Sequence, residues 1–214
     1  MSEIINVENA SIGYRGGNIL NVNLRINKGD FWVISGNNAV GKSLFLKLLY
    51  MKIFPLKGSL FLFGEKITQN SKEKILKFRR QLGVILQNDY LIPFFTVSQN
   101  VEFSSLVQRE NFDYLSRSKE ILSWLGLTNI KDTPVSKLSN GQKQKVVIAR
   151  ALITNPKIII ADQPDTNLDK QSTKKIFFLF ESINKLGTTI IITTKNSEIL
   201  PKVYKTLHLK DNEK

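Results

Sequence analysis

The 214-residue chain contains no cysteine, which excludes disulfides, thiolate metal sites and a cysteine nucleophile and agrees with a reducing compartment. Histidine is almost as scarce. The single one, His208, falls in a short terminal strand pattern and reads as a half-exposed strand residue rather than a catalyst, because a catalytic group must lie within hydrogen-bond reach of its target. No apolar run approaches the roughly 20 residues that cross a bilayer, and Met1 to Val7 lacks the basic and apolar blocks of a signal peptide, so a cytoplasmic chain is expected. No internal repeat, low-complexity tract or flexible linker divides it, and one domain over 1–214 is expected. Acidic residues are outnumbered: 31 Lys and Arg against 18 Asp and Glu leave a formal charge of +13. Such a balance favours nucleotides, nucleic acid or an anionic lipid surface. The lysines are scattered, however, and no nucleic-acid recognition motif accompanies them, so no specific nucleic-acid partner is expected.

What the chain does have is the loop Gly36-Asn37-Asn38-Ala39-Val40-Gly41-Lys42-Ser43, which fits GxxxxGK[ST]. It lies between the apolar run Phe31 to Ser35 and a helical pattern from Lys42 to Ile53. In a strand–loop–helix context, backbone N–H groups curl round phosphates, Lys42 neutralises the β and γ oxygens, and the Ser43 hydroxyl reaches Mg²⁺. The expected ligand is a nucleoside triphosphate with magnesium.

Around that loop, Ile4 to Val7 reads as an edge strand, and Leu20 to Ile26 alternates with period two as a half-buried strand. Ser59 to Phe63 reads as a further strand, Lys72 to Arg80 as a charged surface helix, and Leu82 to Leu86 as a strand that delivers Gln87. Residues 90–155 read as a mainly helical lobe, with one helix through Tyr114 and Leu125 stopped by Gly126, and another capped by Ser139. Ile158 to Asp162 is an apolar run ending in a carboxylate, the form of a central parallel strand. A helix from Asp169 to Lys185 and a strand from Thr188 to Thr193 repeat the alternation, which implies a parallel sheet covered on both faces.

Five motifs therefore stand in order: the phosphate loop, Gln87 after its strand, Leu138-Ser139-Asn140-Gly141-Gln142, the Asp162 strand, and Asn167-Leu168-Asp169. Over almost the whole chain they resemble the nucleotide-binding subunit of ABC-type ATPases. The resemblance implies an α/β P-loop NTPase of the ABC type, with a mainly parallel core sheet, an antiparallel N-terminal β region and an inserted helical lobe. Within the family, Phe78 to Gln87, Leu91, Thr96-Val97, Asn100-Val101 and Thr206-Leu207 are similar to the cell-division type FtsE, which works with the membrane protein FtsX. Lipoprotein-release and macrolide-export relatives share much of this pattern. The resemblance further implies that Tyr14 stacks on adenine, where the residue alone also reads as a surface turn tyrosine. Gly36 through Leu44, Val40 and Asn38 included, would hold ATP. Ser43, Gln87 and Asp162 would serve Mg²⁺. Ser139, Gly141 and Gln142 would act on the ATP of a second copy, giving a homodimer on ATP beside an FtsX-like permease subunit at the inner face of the cell membrane.

The chain also departs from the pattern. Ala39 and Asn140 stand where glycine is usual, and asparagine is well tolerated at positive φ. Gln163 replaces the glutamate that polarises the attacking water, and an amide cannot usefully take that proton. Lys195 replaces the switch histidine. Its ammonium donates hydrogen bonds and accepts none, so it either holds γ-phosphate oxygens or points away, solvated. Gln163, Lys195 and Gln87 are the candidate catalytic positions, with hydrolysis expected to be weak or absent.

Overall fold

The computed structural model describes residues 2–13, 20–37, 40–88, 90–107, 113–194, 200 and 204–209. Two sheets carry it. The first is antiparallel and joins β1 (Glu3–Ile12), β2 (Leu20–Asn27), β4 (Lys57–Leu62) and β5 (Glu65–Ile67) in the order β2-β1-β4-β5. The second is parallel and joins β3 (Phe31–Ser35), β6 (Leu82–Ile85), β7 (Ile158–Asp162), β8 (Thr189–Thr193) and β9 (Lys205–His208) in the order β6-β7-β8-β3-β9. The α/β architecture expected from the alternating strand and helix patterns is thus present.

The apolar runs of the parallel strands follow from burial on both faces. Ile158 and Ile160 of β7 and Ile191 of β8 join one core, with the antiparallel sheet, α1 (Lys42–Leu49) and α2 (Lys72–Arg79). Ile159 and Ala161 of β7 and Ile190 and Ile192 of β8 join the other, with α5 (Asn140–Leu152) and α6 (Lys170–Lys185). That second core also takes in α3 (Val97–Glu102) and α4 (Tyr114–Trp124), through Val97, Val101 and Leu122. As expected, Gly126 ends α4 region in a left-handed conformation at φ 69°. Helix α5 reaches back to the sheet: a Cβ on Gly83 of β6 would lie 2.7 Å from the Ala151 carbonyl oxygen.

Three expectations need correction. β1 is an internal strand, paired with both β2 and β4. Its register shifts between Val7 and Ala10, and Asn9 sits at φ 45°, so a bulge breaks the alternation that would have revealed the full length. α1 stops at Leu49 rather than Ile53, because Met51 turns left-handed at φ 60° and Arg79 binds the carbonyls of Met51 and Tyr50 at 2.7 and 3.4 Å. Asn140 is the first residue of α5 and has helical geometry, so the glycine usual there is not needed for positive φ.

Candidate functional site

The loops that follow β3, β6, β7 and β8 all leave the C-terminal ends of parallel strands, the edge where ligands bind in open α/β sheets. The phosphate loop starts at Gly36, whose φ is 143°. A Cβ there would lie 2.7 Å from the backbone oxygen of Leu209 and 2.8 Å from Val40 Cγ1, so only glycine fits. Gly41, at φ 100°, is the N-cap of α1, and among the described residues no side chain caps that end. The first-turn amides of α1 are thus open to an anion. Lys42 folds over the loop, its Nζ donating to the carbonyls of Gly36 at 2.5 Å and Asn37 at 2.8 Å. Leu44 is half-buried against the first core. Asn38 and Ala39, Tyr14 and Lys195 lie outside the described residues.

Ser43, Gln87 and Asp162 share one cavity of about 180 Å³ with Lys47, Tyr50, Asn88 and Tyr90. Ser43 and Gln87 are exposed, and Asp162 is buried. A hydroxyl, a carboxamide and a single carboxylate are oxygen donors suited to Mg²⁺, which usually takes only one or two carboxylates beside phosphate and water. Among the described residues no cluster of three or more acidic, histidine or cysteine side chains offers a dedicated cage. The donor set thus fits a cation that arrives with phosphates.

Sequence reasoning missed Thr193. Its hydroxyl donates to Asp162 Oδ1 at 2.7 Å and accepts from the Gln163 amide at 2.9 Å, while its carbonyl accepts from the same amide at 3.1 Å. These contacts hold Gln163 at φ 50°, a left-handed setting that costs a non-glycine residue on the order of 1 kcal/mol or more. The only available signal was the pair of threonines ending an otherwise apolar strand.

Ser139, Gly141 and Gln142 do not line the cavity of Ser43 and Asp162. Ser139 is the N-cap of α5: its hydroxyl accepts from the Gln142 amide at 3.2 Å, and Gln142 Oε1 accepts from the Ser139 amide at 2.9 Å. The cap uses the hydroxyl oxygen as acceptor, so the Ser139 proton remains available to a ligand. Gly141 lies against the loop after β7, since a Cβ on it would stand 3.0 Å from the Asn167 oxygen.

The profile of the family described as ABC transporter matches residues 19–166. The lipoprotein-releasing system ATP-binding protein LolD of Aquifex aeolicus is 36% identical over 216 residues, covering 100% of this chain and 96% of the relative. The cell division ATP-binding protein FtsE of Streptococcus pneumoniae is also 36% identical, over 194 residues, with 90% of this chain and 82% of the relative covered. The resemblance is therefore shared and does not single out FtsE. Among solved structures, the dimeric ABC transporter cassette MJ0796 matches with a TM-score of 0.89 at 32% identity, covering 98% of this chain and 95% of that one. A dimeric post-hydrolysis state of the same cassette, bound to ADP and Pi, matches with a TM-score of 0.87 at 30% identity.

Proposed function

Because this chain belongs to the ABC transporter ATP-binding family, we propose that it is the ATP-operated subunit of a membrane complex, closing as a homodimer on Mg²⁺-ATP and hydrolysing it slowly. Gly36 to Leu44 hold the triphosphate, with Lys42 turning from the loop carbonyls to the β and γ oxygens. Ser43, Gln87 and Asp162 hold Mg²⁺, which supplies charge neutralisation at the phosphates. Ser139, Gly141 and Gln142 of one copy complete the site of the other, a reading supported by their absence from the lining of their own cavity. The family resemblance assigns adenine stacking to Tyr14 and the switch position near the γ-phosphate to Lys195.

The observation that carries slow turnover is Gln163, next to Asp162 and fixed by Thr193. A glutamine amide orients water but does not accept its proton, so a general-base contribution of about 10²- to 10⁴-fold is lost. The missing carboxylate also removes a negative charge beside the γ-phosphate, favouring the ATP-bound pair. ATP therefore works as a clamp, released rarely.

For the partner, the segment Phe78 to Gln87 and its continuation support an FtsX-like permease subunit acting in cell division, with this chain peripheral on the inner membrane face. A second reading, a lipoprotein-release complex, is favoured by the match to LolD along the full length of this chain. Co-purification of the membrane partner separates the two.

Single-turnover hydrolysis tests the clamp. The unmodified protein is expected to stay near the Lys42→Ala baseline, and Gln163→Glu to raise the rate about 10²-fold or more. Brisk hydrolysis without that substitution would overturn the reading.

A further inference from the structure

Three positions beyond Asp162 stands a second carboxylate, Asp165, which none of these roles uses. It is 9% exposed, and its Oδ2 accepts a hydrogen bond from the Thr194 hydroxyl at 3.1 Å. The preceding threonine, Thr193, makes the parallel contact to Asp162 at 2.7 Å. Consecutive threonines at the end of β8 thus grip the turn on both sides of Gln163. Between the two grips the turn is further pinned where buried Gln144 donates through Nε2 to the Pro164 carbonyl at 3.1 Å. Neither Asp165 nor Thr194 lines the cavity of Ser43, Gln87 and Asp162; their link to it runs through the adjacent Thr193, whose hydroxyl binds Asp162 of that cavity. From Thr194 the chain continues into Lys195.

We propose that Asp165 is a positioning residue: acting through the Thr194 hydroxyl, it locks the end of β8 to the Gln163 turn and sets the geometry of the phosphate end of the cavity. The lock itself is a statement about the fold, while its effect on turnover rests on the ATP reading above. At 3.1 Å the Thr194–Asp165 bond is longer than the 2.7 Å bond from Thr193 to Asp162 and is a contact of ordinary strength. Its loss frees the β8 end to move relative to Gln163 without touching the phosphate loop, so rate should suffer and affinity should not.

The test uses the full chain. Amide hydrogen exchange is measured without nucleotide over 160–168 and 189–194. Asp165→Ala and Thr194→Val should each speed exchange about tenfold, and the double variant should go no further than the larger single effect. Single-turnover hydrolysis is then measured in the Gln163→Glu background. Both substitutions should slow it about tenfold while the Kd for ATP moves less than about threefold. Asp165→Asn and Thr194→Ser, which can still make the hydrogen bond, should keep most of the rate. Unchanged exchange or additive effects would overturn the lock. Equal losses from Asp165→Asn and Asp165→Ala would also overturn positioning, because the charge itself would then be acting. If the unsubstituted chain bound no ATP, the nucleotide reading would fail on its own, and exchange would still decide the lock.

Discussion

Gly36 is constrained from two directions at once, by its own φ of 143° and by the Leu209 oxygen that would stand 2.7 Å from a Cβ. Gly36→Ala should therefore weaken ATP binding at least tenfold and cost about 1–3 kcal/mol of stability, measured by nucleotide titration and denaturant unfolding. The spacing of Gly36, Gly41, Lys42 and Ser43 was readable in sequence because a phosphate loop is built from neighbours, and its function is written in consecutive residues. Thr193 was not readable in the same way: its partner Asp162 lies 31 positions away, and only the pairing of β7 with β8 brings the two together. Asn140 shows the opposite error. A habit of sequence suggested a left-handed position, whereas α5 begins there and Asn140 is not at positive φ.

At the scale of elements, β9 is tied to β3 by more than its ladder. Asp30 takes hydrogen bonds from Lys205 Nζ at 2.8 Å, the Asn27 amide at 2.9 Å and Trp32 Nε1 at 3.0 Å. Burial alone would raise the Asp30 pKa, but the Lys205, Asn27 and Trp32 contacts together hold it below the ordinary aspartate value of 3.8. With the folded value depressed, the stabilisation is full above the unfolded pKa and is lost as pH falls through the folded one. Acid unfolding below about pH 4 should thus lose part of its pH dependence in Asp30→Asn, as followed by circular dichroism. β7 and β8 were legible because strands buried on both faces show as unbroken apolar runs. β1 was legible only in part, since its bulge at Asn9 interrupts the period that identifies a strand.

For the whole molecule, Ser139, Gly141 and Gln142 do not line the cavity of Ser43, Gln87 and Asp162, and in the proposed ATP-bound pair a second copy is what would unite the two halves. Ser139→Ala should weaken ATP-dependent dimerisation tenfold or more, while binding of ATP to the monomer changes less than about twofold. Sedimentation with and without ATP reads both. Some loss of α5 stability, about 1 kcal/mol, should accompany it because Ser139 is also the cap. The contact between Ser35 and His208 spans 173 positions, and the Leu209 backbone closes over Gly36. During synthesis, the phosphate loop therefore waits for the later segment near residue 209 before its shape is complete, since long-range pairing comes late in folding. On the proposed ATP reading, a nascent chain should not grip ATP, and two copies should not pair on it, until each has been made through that strand.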